Sequence, residues 1–265
     1  MMEKDEQNRI GLLTEERRSR ILTRLRRDGR VLAAQLSQEY GVSDDTIRRD
    51  LDALAELGLV QRVHGGALRP APVNEDYGAR QAQGAGAKES IARATAGLIH
   101  SGQVVILDGG TTTLAVAKHL APDLQAKVIT TSPPVAVALA AYPGIEVITI
   151  GGTLYRYAMV AVGADTVAAL RAVRADVCVL GILAVHPEIG VSVIDPEEAA
   201  VKRAMIEGAA CVVAPATTEK LGTVAPFVVA PASDLTHLVV DAGVGENTLA
   251  PYRALGLTVI QESRA

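Results

Sequence analysis

Val42-Ser43-Asp44-Asp45-Thr46-Ile47-Arg48-Arg49-Asp50-Leu51 decides how the first third of the chain is read. Ser43 is a favourable helix N-cap, and Asp44 and Asp45 fill the first turn, where the helix dipole stabilises negative charge. Ile47, Leu51 and Leu54 recur at i, i+4 and i+7 and form one apolar stripe. Asp45, Arg48, Arg49, Asp52 and Glu56 project away from it. Gly58 is placed to stop the helix as a left-handed residue just past its end. Alone, this pattern equally fits a surface helix with a mixed-charge outer face. The flanking sequence decides between the two.

Upstream, residues 1–13 read as disordered. Thr14 can cap a helix with Glu15 and Glu16 in its first turn and Ile21, Leu22 and Leu25 on its apolar side. Asp28-Gly29 ends it. Val31–Tyr40 reads as a second helix that buries Leu32, Ala33 and Leu36, and Tyr40-Gly41 is a tight turn before Ser43. Helix, short glycine turn and capped helix make a helix-turn-helix. Between Arg17 and Arg30 stand seven arginines and one acid, Asp28. Such a basic stripe is a docking surface for an anion. Downstream, Leu59–Val63 reads as a strand, His64-Gly65-Gly66 as a turn needing positive φ, and Ala67-Leu68-Arg69 as a returning strand. A hairpin after the third helix is a wing. Residues 14–69 are therefore predicted to form a winged helix-turn-helix, mostly α with a small β wing.

That fold assigns contacts to double-stranded DNA. The front half of a recognition helix reaches base edges, so Ser43, Asp45, Thr46, Arg48 and Arg49 are the candidates for the groove. Arg17, Arg18 and Arg20 are candidates for phosphate, as are Arg62, His64, Gly65 and Gly66 of the wing. Asp50 points to the side of its helix and is read instead as a partner for a basic residue of the first helix.

The whole chain has 265 residues, 49% of them apolar, with one Phe, no Trp and a net charge of −4. A core of Val, Leu, Ile and Ala suits buried parallel strands covered by helices. No apolar run reaches the length of a membrane span, and the charged start lacks the apolar segment of a signal peptide, so a cytoplasmic protein is expected. Cys178 and Cys211 lie in apolar runs and read as buried free thiols. No metal or cofactor signature is present.

Pro70-Ala71-Pro72 marks a boundary, and residues 70–87 read as a linker, with Tyr77–Arg80 a candidate docking segment. Residues 88–265 alternate between helix and strand. Strands are predicted at Val104–Leu107, Val128–Thr131, Ile145–Ile150, Asp176–Leu180, Cys211–Ala214, Leu238–Val240 and Leu257–Ile260. Helices are predicted at Lys88–His100, from Thr111 through Leu120, and at Pro134–Ala141, Thr166–Arg174, Glu197–Ile206 and Glu246–Leu255. This is an α/β domain with a mostly parallel, Rossmann-like sheet. Ligands of such sheets bind beyond the carboxyl ends of the strands. The strongest candidate is Asp108-Gly109-Gly110-Thr111-Thr112-Thr113, where glycines, hydroxyls and a helix N-terminus favour a phosphate. Thr131 and Ser132, Gly151 and Gly152, and Gly181 follow other strands. Lys202 and Lys220 are candidate cations.

The run Ser43-x-x-Thr46-Ile47-Arg48-Arg49-Asp50-Leu51, with the wing His64-Gly65-Gly66-Ala67, resembles the DeoR-type bacterial transcriptional regulators. The resemblance continues through Asp108–Thr112, Thr130-Thr131-Ser132, Gly151-Gly152, Leu180-Gly181 and Val201-Lys202-Arg203-Ala204-Met205-Ile206. It implies an operator-binding repressor of a carbohydrate or related catabolic operon. It also implies a second domain similar to ribose-5-phosphate isomerases that binds a phosphorylated sugar or related metabolite, in a homo-oligomer, dimer or tetramer. Two stretches depart from the family pattern. Thr217-Thr218-Glu219-Lys220 stands where Asp-x-Ser-Lys is usual, and Ile182–Pro187 replaces a Gly-Ile-containing stretch. The resemblance therefore leaves the effector open, a sulfated, acidic or non-sugar ligand included. A competing reading is an isomerase-like enzyme in which Asp108, Glu197 or Glu198 is a general base beside Lys202. A purely architectural DNA binder would need no pocket.

Overall fold

The computed structural model describes residues 13–73 and 76–262. The chain divides into two compact units. The first runs to Ala71 and takes in Gly222–Val224, and the second comprises Pro72–Leu221 and the chain from Ala225 on. The disorder expected of residues 1–13 falls, Leu13 apart, outside the described residues.

The first unit contains α1 (Thr14–Asp28), β1 (Arg30–Leu32), α2 (Ala33–Tyr40), α3 (Asp44–Glu56), β2 (Gln61–Val63) and β3 (Gly66–Pro70). Its core is the predicted stripe of α3, Ile47, Leu51 and Leu54, packed with Ile21, Leu25, Val31 and Leu36. Each such side chain contributes roughly 1.5–3 kcal/mol when fully buried. Ser43 caps α3 by accepting the Thr46 N–H at 3.2 Å, and Gly58 has the expected left-handed φ of 69°. Thr14 is the first residue of α1 and makes no side-chain cap.

The second predicted helix begins later than expected. Arg30–Leu32 is a strand, antiparallel to β3 with Val31 opposite Ala67. Alternation buries Val31 and exposes Leu32, the reverse of the helical assignment for Leu32. The partner strand lies far along the chain, so local periodicity carries no sign of it. Thr223 and Val224 extend the same sheet in parallel with Arg69 and Pro70.

In the wing, β2 and β3 pair antiparallel. Gly65 makes the turn with φ 76°. Gly66 is different: it is already in β3, buried, and needs no positive φ. It is glycine because a Cβ there would overlap the Val31 carbonyl oxygen.

The second unit opens with α4 (Tyr77–Ala82) and α5 (Ala85–Ala96), so part of the predicted linker is helical. There follow β4 (Val104–Leu107), α6 (Thr111–Lys118), β5 (Ala126–Thr130), α7 (Pro133–Leu139), β6 (Ile145–Thr149), β7 (Thr153–Tyr155), β8 (Val160–Val162), α8 (Ala164–Arg171) and β9 (Ala175–Val179). Next come β10 (Ala184–His186), β11 (Gly190–Val193), α9 (Pro196–Glu207) and β12 (Ala209–Ala216). Thr223–Val224 of the first unit is β13. The chain closes with β14 (Phe227–Ala230), β15 (His237–Asp241), α10 (Glu246–Ala254) and β16 (Thr258–Glu262). The seven predicted strands form one sheet in the order β16-β15-β12-β9-β4-β5-β6, with all pairs parallel. Two additions were not predicted, the β7–β8 hairpin and the antiparallel sheet β10-β11-β14. Cys178 and Cys211 are both free, the first buried and the second half-buried. No helix among the described residues is long and apolar enough to cross a membrane.

Gly66→Ala should destabilise the first unit by about 1–3 kcal/mol, the usual cost of forcing atoms into a packed site. Guanidinium denaturation of the full chain would check this, and an unchanged midpoint for that unit would contradict the close approach to Val31.

Candidate nucleic-acid interface and ligand cavity

Asp45, Arg48, Arg49, Asp52 and Glu56 are all exposed on α3, as its periodicity predicts. Arg48 pairs with Asp44 at 3.3 Å and Arg49 with Asp45 at 2.6 Å, each one turn apart on the helix. Exposed pairs of this kind contribute only about 0.3–0.5 kcal/mol. Both guanidiniums can therefore exchange their partners for base edges or phosphates at small cost. Ser43 and Thr46 share a contact between their hydroxyls at 2.9 Å at the helix start. His64 and Gly65 are exposed at the wing tip.

Four expected contacts are revised. Arg17 is turned inward, its side chain 7% exposed, and its Nε donates to Asp50 at 2.5 Å. Arg18 donates to the other Asp50 oxygen at 3.0 Å. These two are the basic partners expected for Asp50, so Arg17 holds α1 to α3 and presents nothing to solvent, while Arg18 is half-committed. Gly66 is buried under Val31 and is no contact surface. Arg62 is half-buried and donates to Asp52 at 2.7 Å and to the Gly66 carbonyl at 2.7 Å, so it braces the wing against α3. Arg20 remains at the surface, paired with Glu16.

In the second unit the strand order reverses between β4 and β9. From β4 the chain winds outward through β5 and β6, and from β9 through β12, β15 and β16. Ligand crevices form at such switch points, and a cavity of about 280 Å³ opens there. Gly109, Gly110, Thr111, Thr112 and Thr113 line it after β4, and Gly181, Ile182 and Leu183 after β9. Helix α6 has no side-chain cap, so its first N–H groups have no side-chain acceptor. The Thr112 Oγ1 is buried without a hydrogen-bond partner among the described residues.

Asp108 does not line the cavity; it ties the two strand ends together. One oxygen accepts the Gly109 N–H at 2.7 Å, and the other accepts the Gly181 N–H at 2.9 Å and the Lys202 ammonium. Lys202 also donates to the Gly181 carbonyl at 2.8 Å and lies 3.5 Å from Glu198. Gly181 admits this arrangement because a side chain there would press on the Gly109 carbonyl and on Asp108. Burial opposes the Lys202 charge, but Asp108 and Glu198 outweigh it and hold the ammonium above the usual lysine range. Burial raises the Glu198 carboxyl; Lys202 works against that shift and Asp108 adds to it.

Lys88, Lys220 and Arg80 complete a cationic wall. Arg80 comes from α4, the segment expected to dock. It donates to the Tyr157 carbonyl, and its guanidinium lies 3.9 Å from the Tyr157 ring centre. Lys88 donates to the Arg80 carbonyl. Lys220 is half-buried. Burial pushes its ammonium down to about 8, with Lys88, Arg80 and Lys202 adding to the shift and Glu219 opposing it.

Four expected cavity residues lie elsewhere. The Ser132 Oγ donates to the Met159 carbonyl at 2.9 Å, and the Thr131 carbonyl accepts the Ala161 N–H at 2.8 Å. Gly151 accepts from Thr166 at 2.8 Å, and Gly152 packs against Thr166 and Val162. The β7–β8 hairpin thus seals the ends of β5 and β6 and offers Tyr157 and Ala158 to the cavity in their place. Of the contributors that the sequence did not reveal, Arg80 had a signal in its aromatic neighbour Tyr77. Lys88, Tyr157 and Glu219 had none. Among the described residues no group of three His, Cys, Asp or Glu side chains could hold a metal ion.

Residues 17–73 match the model of the DeoR-like helix-turn-helix domain, and residues 83–242 that of the DeoR C terminal sensor domain. The chain belongs to the DeoR family. It is a DNA-binding transcriptional regulator that carries the family's sensor domain. The HTH-type transcriptional repressor GlcR of Bacillus subtilis is 34% identical over 229 residues, 86% of this chain and 88% of that protein. The glycerol-3-phosphate regulon repressor of Escherichia coli is 34% identical over 193 residues, 72% of this chain and 77% of that one. Among solved structures, ribose 5-phosphate isomerase A from Methanocaldococcus jannaschii has a TM-score of 0.34 and 17% identity, covering 48% of this chain and 50% of the other.

Asp50→Ala in this DeoR-family chain should cost about 3–5 kcal/mol, because it strands the buried Arg17 charge. A second substitution, Arg17→Met, should recover much of that loss. Chemical denaturation of the two variants checks both steps, and a single variant as stable as wild type would remove the ion pair from its structural role.

Proposed function

We propose that this DeoR-family protein represses a carbohydrate or related catabolic operon, and that a small phosphorylated metabolite in the second unit controls its hold on operator DNA. One observation carries the reading. The uncapped start of α6, with the Thr112 hydroxyl that has no partner among the described residues, opens into a cavity walled by Arg80, Lys88 and Lys220. Free N–H groups, a helix dipole and cations together suit a phosphate dianion. GlcR and the glycerol-3-phosphate regulon relative are both named repressors, which supports the direction of control.

Base edges are assigned to Arg48 and Arg49, with Ser43, Asp45 and Thr46 beside them, and phosphates to Arg20, His64 and Gly65. A homo-oligomer, dimer or tetramer, would place recognition helices in half-sites about one helical turn apart or a multiple of it. An effector shifts DNA affinity only if it binds the competent and incompetent states unequally. Covalent continuity supports such coupling. Lys220 lines the cavity, and two residues later Gly222 opens the segment that belongs to the first unit. Catalysis is not required by this reading, since Asp108 already accepts three donors and Lys202 is spent on holding it.

Arg49→Ala should weaken specific operator binding by about 1–3 kcal/mol per subunit, the worth of a two-pronged arginine–guanine contact. It should leave the thermal stabilisation by a bound sugar phosphate intact. Anisotropy titrations and thermal shifts on the same preparation separate the two effects; simultaneous loss would sink the division of labour.

Lys220 gives a pH signature. An anion binds the charged lysine, so affinity is full well below pH 8 and falls as pH rises through about 8. For a ligand that needs the ammonium, the loss is about tenfold by pH 9. Calorimetric titration of glucose 6-phosphate between pH 7 and 9 should show this decline, and Lys220→Met should flatten it. An equal slope in both proteins would remove Lys220 from the site.

A further inference from the structure

The two free thiols of the second unit differ in what surrounds them. Cys178, in β9, is fully buried, and burial pushes its thiol well above the usual range. Cys211, in β12, is half-buried at the rim of the core that holds Val177, Val213 and Val239. Its sulfur lies 3.5 Å from His237 Nδ1 and 3.1 Å from the Thr236 Oγ1. This cluster stands at the amino ends of β12 and β15, whereas the ligand cavity opens at carboxyl ends of the sheet. It is a separate place in the fold.

The hydrogen bonds leave the imidazole facing the thiol. The Thr236 Oγ1 accepts the Val212 N–H at 3.0 Å and donates its one hydrogen to the Val212 carbonyl at 2.9 Å. Nδ1 is 2.9 Å from that oxygen, but with the hydroxyl hydrogen spent on Val212 the thiol is the donor left for it among the described residues. With the ring proton on Nε2, Nδ1 is an acceptor. The thiolate is the reactive form of cysteine, and an imidazole in contact takes the thiol proton as the sulfur attacks. The half-buried, apolar setting admits a small neutral oxidant and turns away a bulky or charged one. Side chains alternate along a strand, so Cys178 lies on the face of its register partner Val212, opposite to Cys211. An internal disulfide between the two is therefore excluded.

We propose that Cys211 is a modification site, oxidised by hydrogen peroxide to a sulfenic acid with His237 as the base. The sulfur attacks one peroxide oxygen, an S–O bond forms and the O–O bond breaks. The thiol proton passes through His237 Nδ1 to the leaving hydroxide, which departs as water. Sulfur gives up two electrons and the peroxide takes them, so Cys–SH and H2O2 become Cys–SOH and H2O. Cys178 stays a thiol.

The test exposes the purified full-length protein to hydrogen peroxide at pH 7 for timed intervals, traps sulfenic acid with dimedone and reads each cysteine by peptide mass spectrometry. Cys211 should be labelled and Cys178 should not. An ordinary thiol is only about 3% thiolate at pH 7, so a neighbouring base can raise the rate by up to about thirtyfold. Cys211 should therefore react faster than N-acetylcysteine in the same buffer, although burial alone would make it slower. His237→Asn keeps a polar atom near the position of Nδ1 but accepts no proton, and should slow the labelling about tenfold with an unchanged thermal melt. Should that variant melt early, the comparison with N-acetylcysteine decides by itself. Three results overturn the assignment: equal labelling of Cys178 and Cys211, a wild-type Cys211 slower than N-acetylcysteine, or a folded His237→Asn protein that reacts as fast as wild type.

Discussion

The second unit depends on satisfying one buried carboxylate. Asp108 sits at the end of β4 with almost no solvent contact, and an isolated charge there would cost several kcal/mol. Two backbone N–H groups and the Lys202 ammonium answer it. Those donors come from the turn after β4, the turn after β9 and the middle of α9. Satisfying the charge therefore fixes three elements at the point where the sheet reverses. The cavity keeps its shape because its floor is a hydrogen-bonded network rather than packing alone. A hydrophobic trio of similar volume could be as stable, but it would not leave glycine backbone lining the cavity.

The first unit uses a smaller version of the same device. Asp50 lies on α3 with both oxygens taken by arginines of α1. The apolar core would tolerate some sliding between two helices, since its contacts are non-directional. A carboxylate gripped by Arg17 and Arg18 is directional. It sets how α3 lies on α1, and with it which side of α3 carries Arg48 and Arg49 outward. Arg62 does the corresponding work at the other end of the helix, through Asp52 and the wing.

Local and repetitive features were legible in the sequence. The stripe Ile47-Leu51-Leu54, the Ser43 cap and the Gly58 stop belong to one helix and need no knowledge of its neighbours. The seven core strands were legible because each is a short apolar run between turn residues. The Gly/Thr turn after β4 was legible as a cavity wall because its glycines, hydroxyls and helix start lie in one continuous run. What failed was non-local. Arg30–Leu32 is a strand only because β3 returns beside it. Arg17 looked like a surface arginine because its partner lies on another helix. Thr131, Ser132, Gly151 and Gly152 sit at strand ends, as cavity residues should, but the β7–β8 hairpin covers them. The cationic wall draws on α4, α5 and the Thr218–Lys220 turn, segments that meet only in the folded chain.

The outer surface of α3 carries more acids than arginines, and this bears on how it meets DNA. Asp44, Asp45, Asp52 and Glu56 share its outer surface with Arg48 and Arg49. Such a face gains little from the general attraction of cations to a polyanion, the term that supplies non-specific affinity. Its acids are repelled by phosphate unless they meet a base donor or stay paired with the arginines. On the proposed contacts, approach to the wrong sequence would leave those acids desolvated and unanswered, while the right one would let each arginine leave a weak surface pair for a two-pronged contact with a base. The outward acids of α3 thus lower affinity for DNA in general and widen the gap between operator and bulk sequence. On the proposed contacts, positioned groups rather than net charge would carry the recognition.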